Sequence, residues 1–297
     1  MALNRKNLCF GFGVSLFFIS IFCQAKEEPD WAIYDDDDRI EVTSKDVPQF
    51  IKELSGAVAG RIRKDDLYCS GDSCSLYSKN LQEKFGLCDD QPFNQQNAPY
   101  DCTGWLINGD TMVTAGHCVD NLETAKNFKW VFNWNDQTPQ KFSASQVRSI
   151  SHVIKVKRDF ETGVDYAVVK LNQAYFNPMN KYFEIRHFGE ISVYDDISIL
   201  GHPLGLPMKW AAGAKVSLTK SNELFMATLD SFSGNSGSPV INMVTQKVEG
   251  ILVRGESDFY YDRENGCRKH SYYLSRDKRG EQVVRIKLIK EIIGLAN

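Results

Sequence analysis

Short apolar runs, cut apart by Gly, Asn and Asp turns, recur along this chain and constrain its fold more than any other feature. From Cys102 onward they fall at Gly104–Ile107, Thr111–Thr114, Phe128–Trp134, Val147–Val156 and Tyr166–Leu171. A second set follows at Ile197–Leu200, Lys215–Thr219, Leu224–Leu229, Ser238–Asn242, Lys247–Arg254 and Tyr272–Leu274. Strands at this spacing predict an all-β barrel or sandwich, not alternating strand–helix units. The two sets divide at Gln173–Lys181, which contains Pro178, and no sequence repeat relates them. Ahead of them, Ser44–Leu54 reads as a short helix with Ser44 as its N-cap, and residues 57–63 read as a strand. At the far end, Val283–Leu295 carries Ile286, Ile289 and Ile293 on one stripe between charged residues, the pattern of an amphipathic helix on a core.

The N-terminus reads as an export leader. Arg5 and Lys6 precede an apolar run from Leu8 to Cys23, and Cys23-Gln24-Ala25 supplies a small-residue cleavage site. The run, about 16 residues, is short for a membrane span, so no membrane attachment is expected after cleavage. Cutting after Ala25 leaves 33 basic residues against 38 acidic ones, a net charge of −5, which argues against a nucleic-acid partner. It also leaves six cysteines, Cys69, Cys74, Cys88, Cys102, Cys118 and Cys267, and an even number in an exported chain points to disulfides. Cys69 and Cys74 are close enough in sequence to close a small loop. No Cys-x-x-Cys pair or His-rich cluster calls for a metal, and His152, His187, His202 and His270 have no ligand spacing, which makes them structural or surface residues. The acidic stretch Tyr34–Arg39 reads either as a solvated turn or as the end of a propeptide cut near Arg39.

Three distant places carry the chemistry. Gly234-Asn235-Ser236-Gly237-Ser238-Pro239 presents a hydroxyl on a tight turn, where glycines allow backbone angles that other residues resist. Thr114-Ala115-Gly116-His117-Cys118 places an imidazole after an apolar strand, and Asp165-Tyr166-Ala167-Val168 a carboxylate at the head of another. Each alone has an ordinary structural explanation. The order His, Asp, Ser makes the three together far more specific.

With these motifs and with Cys102-Thr103-Gly104-Trp105 and Gly250-Ile251-Leu252-Val253-Arg254-Gly255, the chain resembles the chymotrypsin-like serine peptidases, in the exported bacterial branch that includes the glutamyl endopeptidases. Asp36-Asp37-Asp38-Arg39 and Gly201-His202-Pro203-Leu204-Gly205 extend the resemblance over residues 36 to 295. It implies two six-stranded antiparallel β-barrels and a C-terminal helix. The expected organisation is a leader at 1–25, an N-terminal segment or propeptide at 26–39, a first barrel at 40–177, a second at 178–280 and the helix at 281–297. It implies a monomeric serine endopeptidase acting on proteins or peptides through an acyl-enzyme, without metal or organic cofactor.

Ser236 is then the nucleophile, His117 its base, and Asp165 the group that fixes the imidazole tautomer. The N–H groups of Gly234 and Ser236 hold the oxyanion. The resemblance implies a Cys102–Cys118 disulfide pinning the loop of His117. Cys88–Cys267 with Cys69–Cys74 is the favoured pairing of the other four, with different pairings open. Asp230, Arg254 and Gly255 fall at the specificity pocket. Asp230 aligns with a carboxylate that selects Arg or Lys, and Arg254 is placed to offset it; a structural Asp230 bonding backbone is the competing reading.

Three residues depart from the pattern. Asn235 replaces an aspartate that pairs with a new N-terminal amine, Val253 replaces a serine that supports the triad aspartate, and Leu252 replaces the histidine of glutamate-specific members. Two other readings stand beside the peptidase. One is an esterase with the same triad, disfavoured because Ser238 stands where a nucleophile elbow needs Gly. The other is a protease-fold binding protein without catalysis.

Overall fold

The computed structural model describes residues 33–294 except 139, 256 and 275–279; the expected leader lies outside the described residues. Two antiparallel sheets, each curled on itself, are joined by the irregular stretch 172–195. In the first sheet the order is Val147–Arg148, Phe128–Phe132, Val58–Arg63, Cys102–Leu106, Thr111–Thr114, Asp165–Leu171 and Ile150–Arg158. Its two edge strands are halves of one run broken at Ser149, so the expected single strand Val147–Val156 serves both edges of a six-strand curl. The second sheet runs Asp196–Gly201, Pro239–Asn242, Val248–Arg254, Glu281–Arg285, Leu224–Ala227 and Lys209–Leu218, and closes because the last strand pairs with the first. Alternation along these strands sends one set of side chains inward, where Trp105, Trp130, Phe132 and Phe225 are fully buried.

Several expectations need correcting. The strand Arg39–Glu41 pairs with Lys209–Ala211, and Ile33–Tyr34 runs parallel to Tyr272–Tyr273. Residues 33–41 therefore form a strap on the second barrel, not the start of the first. The early helix spans Gln49–Ser55 with Pro48 at its N-cap, because Ser44 forms a turn to Val47 before the proline can open the helix. Glu281–Arg285 is a barrel strand and the terminal helix begins at Lys287. Val283 and Val284 pair with Phe225 and Leu224 on one side and with Leu252 and Ile251 on the other, and the helical stripe that starts at Ile286 hid the boundary. Ile286, Ile289 and Ile293 pack into the apolar cluster that contains Val164 and Tyr166 of the first barrel. The polar stretch after residue 66 folds as a three-stranded sheet, Leu67–Ser70, Ser73–Leu76 and Lys141–Ser143, followed by a helix at Leu81–Phe85.

All three disulfides form as paired above: Cys69–Cys74, Cys88–Cys267 and Cys102–Cys118.

Candidate active site

His117 sits in a single 3₁₀ turn, Gly116–Cys118, that follows the fully buried strand Thr111–Thr114. The neighbouring strand Asp165–Leu171 begins with the carboxylate, and the pairing of Ala167 with Thr114 brings that first residue up to the turn. Asp165 holds the histidine twice. Its Oδ2 lies 2.7 Å from His117 Nδ1, and its Oδ1 accepts the His117 backbone N–H at 2.9 Å. A Cβ on Gly116 would come within 2.6 Å of Asp165 Oδ1, so only glycine lets the carboxylate approach this closely. The double hold gives Asp165 the support that Val253 cannot supply.

The serine turn is built from left-handed glycines, Gly234 at φ +96° and Gly237 at φ +93°. Thr103, beside the disulfide cysteine Cys102, ties this turn to the histidine side of the cleft. Its N–H donates to Ser236 O at 2.9 Å, its hydroxyl donates to Gly234 O at 2.8 Å, and its carbonyl accepts the Thr114 hydroxyl at 2.7 Å. The Gly201–Gly205 segment closes the other side: a Cβ on Gly234 would meet His202 O at 2.5 Å and Gly205 N at 2.8 Å. Among the described residues, the N–H groups of Gly234 and Ser236 have no acceptor, and Ser236 Oγ and His117 make no hydrogen bond with each other. Serine–imidazole bonds in unliganded sites are often long and tighten when substrate arrives.

A cavity of about 230 Å³ opens beside Ser236, lined by Ser231–Ser233, Leu252–Gly255, Asp258 and Glu281. Arg254 and Gly255 line this cavity, and Asp230 does not. It is 2% exposed, and both its oxygens are occupied by the strap: Tyr34 N donates to Oδ1 at 2.8 Å and Asp38 N to Oδ2 at 2.7 Å. The competing structural reading of Asp230 is the one the geometry favours, and among the described residues Arg254 makes no ion pair with it. Burial pushes the Asp230 carboxyl up to about 7 in spite of its two N–H donors.

Within the strap, Arg39 is 3% exposed, chelated by Asp37 at 2.8 and 2.7 Å, with its guanidinium 4.2 Å from the Phe232 ring centroid. The Arg39–Ile40 bond lies within a paired strand, a poor position for a protease in the folded form. Sequence reasoning missed Thr103, Tyr34, Asp258 and Glu281 as members of the site. Thr103 alone had a local signal, its place next to Cys102.

Three buried groups set a pH signature. Asp230 is raised from 3.8 to about 7, so its contribution to stability is complete below pH 4 and is lost as pH rises through 7. His202 and His270 are depressed from 6.5 to about 4 and about 3, chiefly by burial, so theirs is complete above pH 6.5 and lost on acidification through those values. Between pH 4 and 6.5 the unfolded chain binds two protons on the histidines and the folded chain one on Asp230. These three groups alone would raise the unfolding free energy by about 1.4 kcal/mol per pH unit, a slope that the raised carboxyls of Asp258 and Glu249 reduce at its acid end. In Asp230→Asn the slope should steepen, as denaturant titrations at several pH values would show. An unchanged slope would mean that Asp230 is already ionised in the fold.

Cys102, His117 and Cys118 lie within 4.8 Å of one another, but both sulfurs are spent in one disulfide and offer no thiolate to a metal. The model of the trypsin-like peptidase domain family matches residues 102–251, half of the chain, and so spans His117, Asp165 and Ser236.

The chain belongs to the trypsin-like peptidase family.

Among curated proteins, this trypsin-like chain is 24% identical to a glutamyl endopeptidase of Bacillus licheniformis over 149 residues, 49% of this chain and 46% of the relative. It is 27% identical to an extracellular metalloprotease of Bacillus subtilis over 157 residues, 48% and 47% of the two chains. The chain thus spans about half the length of the curated relatives it matches. A solved Glu endopeptidase in complex with MPD shares the fold at a TM-score of 0.52 and 21% identity, covering 89% of this chain and 98% of the other.

Proposed function

We propose that the chain is an exported serine endopeptidase in which Ser236 attacks the peptide carbonyl while His117 takes its proton. The acyl-enzyme that follows is released by water, with His117 first protonating the leaving amine and then deprotonating the water. Asp165 keeps the proton of the imidazole on Nδ1, so that Nε2 is free to act as the base. The unpaired N–H groups of Gly234 and Ser236 are the oxyanion donors, each worth about 10²–10³ in rate. The double hold of Asp165 on His117 carries the reading, since a purely structural histidine needs no carboxylate fixed on both ring and backbone. The leader-like N-terminus supports export, into a periplasm or out of the cell, and a relative is named as extracellular.

A fluorophosphonate probe tests it. The mature protein should label, and Ser236→Ala should not. No labelling of the folded wild type would favour a binding protein. Casein hydrolysis in excess of short-chain nitrophenyl ester turnover would separate a peptidase from an esterase.

A further inference from the structure

We infer that Thr103 is a positioning residue of the oxyanion hole: its hydroxyl, bonded to the Gly234 carbonyl and to the His202 N–H, fixes the direction in which the Gly234 N–H points. The inference rests on the peptidase reading above and adds to it a side chain that acts through the backbone of the serine turn.

The N–H and C=O of a trans peptide unit point to opposite sides. Each oxyanion donor is therefore aimed by whatever holds the carbonyl of its own unit. For Ser236 that carbonyl is Asn235 O, which accepts the Ser238 N–H at 2.9 Å within the turn itself. For Gly234 it is Ser233 O, and its partner comes from outside the turn: the Leu204 N–H, at 2.5 Å. Leu204 is held at φ +56°, an angle that leucine resists, so this clamp lasts only while the Gly201–Gly205 segment stays in place. Gly234 itself, at φ +96°, is a glycine about which either neighbouring peptide unit can turn. Its own carbonyl is the second point that has to be held.

One hydroxyl reaches both points. Thr103 is fully buried in the strand Cys102–Leu106. Its Oγ1 gives its single proton to Gly234 O at 2.8 Å and accepts the His202 N–H at 3.1 Å. His202 stands two residues before Leu204, so the same oxygen also steadies the segment that clamps Ser233 O. Packing leaves that segment little slack. A Cβ on Gly201 would stand 3.1 Å from Thr103 Oγ1 and 2.1 Å from Ser238 Oγ, and one on Gly205 would stand 2.2 Å from Tyr100 O. Thr103 belongs to the first barrel, and its carbonyl accepts the hydroxyl of Thr114, three residues before His117. The bond to Gly234 O thus sets the hole in register with the half of the cleft that carries the base. A valine would keep the shape and the Thr103 N–H bond to Ser236 O, but it would leave Gly234 O and the His202 N–H buried without their partner. Both groups would then turn to find new ones, and the Gly234 N–H would turn with them.

The test compares Thr103→Val and Thr103→Ser with wild type on the best substrate of a fluorogenic peptide library. Fluorophosphonate labelling, taken to completion, counts the active molecules in each preparation. Thr103→Val should lower kcat by about 10–100-fold and leave KM within a few-fold, and Thr103→Ser, which restores the hydroxyl, should recover most of the loss. Two inhibitors of the same sequence separate aiming from general damage. A peptide boronate, whose tetrahedral adduct puts an oxygen in the hole, should lose affinity for Thr103→Val by the same factor as kcat/KM. A reduced-amide analogue, which forms no oxyanion, should bind both proteins alike. If Thr103→Val does not fold, Thr103→Ala is read instead; its smaller side chain leaves room for a water, and it should show the same split with about a tenfold loss. If neither folds, the hydroxyl serves the fold alone and the inference falls. It falls too if kcat stays within threefold of wild type, or if the reduced amide loses as much affinity as the boronate; a labelled, active wild type then leaves the peptidase reading standing. A wild type that neither labels nor cuts any peptide overturns both.

Discussion

Asp165→Asn is expected to lower kcat by about 10⁴-fold while the protein stays folded. The geometry shows why an isostere should be so damaging. Asparagine can keep its oxygen where Oδ1 accepts the His117 N–H at 2.9 Å, which preserves the loop. That choice puts an NH₂ where Oδ2 faced Nδ1 at 2.7 Å. A donor there forces Nδ1 to be the acceptor, the ring proton moves to Nε2, and the imidazole can no longer take a proton from Ser236. Single-turnover kinetics with an activated ester should show slow acylation, and an unchanged thermal midpoint would exclude unfolding as the cause. Should Asp165→Asn retain activity within tenfold of wild type, His117 would not be acting as the base.

The second large effect concerns stability. Replacing Cys88 and Cys267 together by Ser should lower the unfolding free energy by about 5 kcal/mol, because the bond spans 179 residues and so restricts the unfolded chain strongly. Denaturant unfolding without reductant would measure it. The bond also staples the segment around Leu81–Phe85 to the strand Cys267–His270, with Cys88 N donating to Arg268 O at 3.0 Å. Leu81, Leu87, Phe232, Leu204 and Ile33 share one apolar cluster there, so a looser staple should reach Phe232 in the cavity wall and raise KM. A loss under 1 kcal/mol would mean that this cluster holds the segment without the bond.

What could be read from the sequence depended on how far its partners lay along the chain. The strand rhythm of the two sheets, the His117 turn and the Gly234–Gly237 turn are local patterns; the turns lie where the residues predicted them, while among the strands Lys215–Thr219 begins six residues earlier, at Lys209, and Glu281–Arg285 was read as helix. Of the disulfides, Cys102–Cys118 followed from the resemblance, and the other two were the favoured pairing of the four cysteines left over. Asp230 was misleading because its meaning depends on Tyr34 and Asp38, 196 and 192 residues away, whose contribution is two backbone N–H groups that no side-chain pattern announces. The strap itself reads as acidic turn residues, since only three of its residues pair with Lys209–Ala211 and period-two alternation needs a longer run. Glu281 was invisible for a related reason: a lone Glu at a strand start is ordinary until Gly255 and Ser231 are seen against it.

The strap has a consequence for biosynthesis. Ile33 and Tyr34 leave the ribosome early, yet their partners Tyr272 and Tyr273 emerge some 240 residues later, roughly 10–50 s at ordinary elongation rates. Until then Ile33 and Tyr34 have no strand to pair with, and the strap is held only where Arg39–Glu41 meets Lys209–Ala211. The strap over Asp230 can therefore finish docking only after Tyr272 and Tyr273 have been made, which makes the sealing of Asp230 a late step of folding.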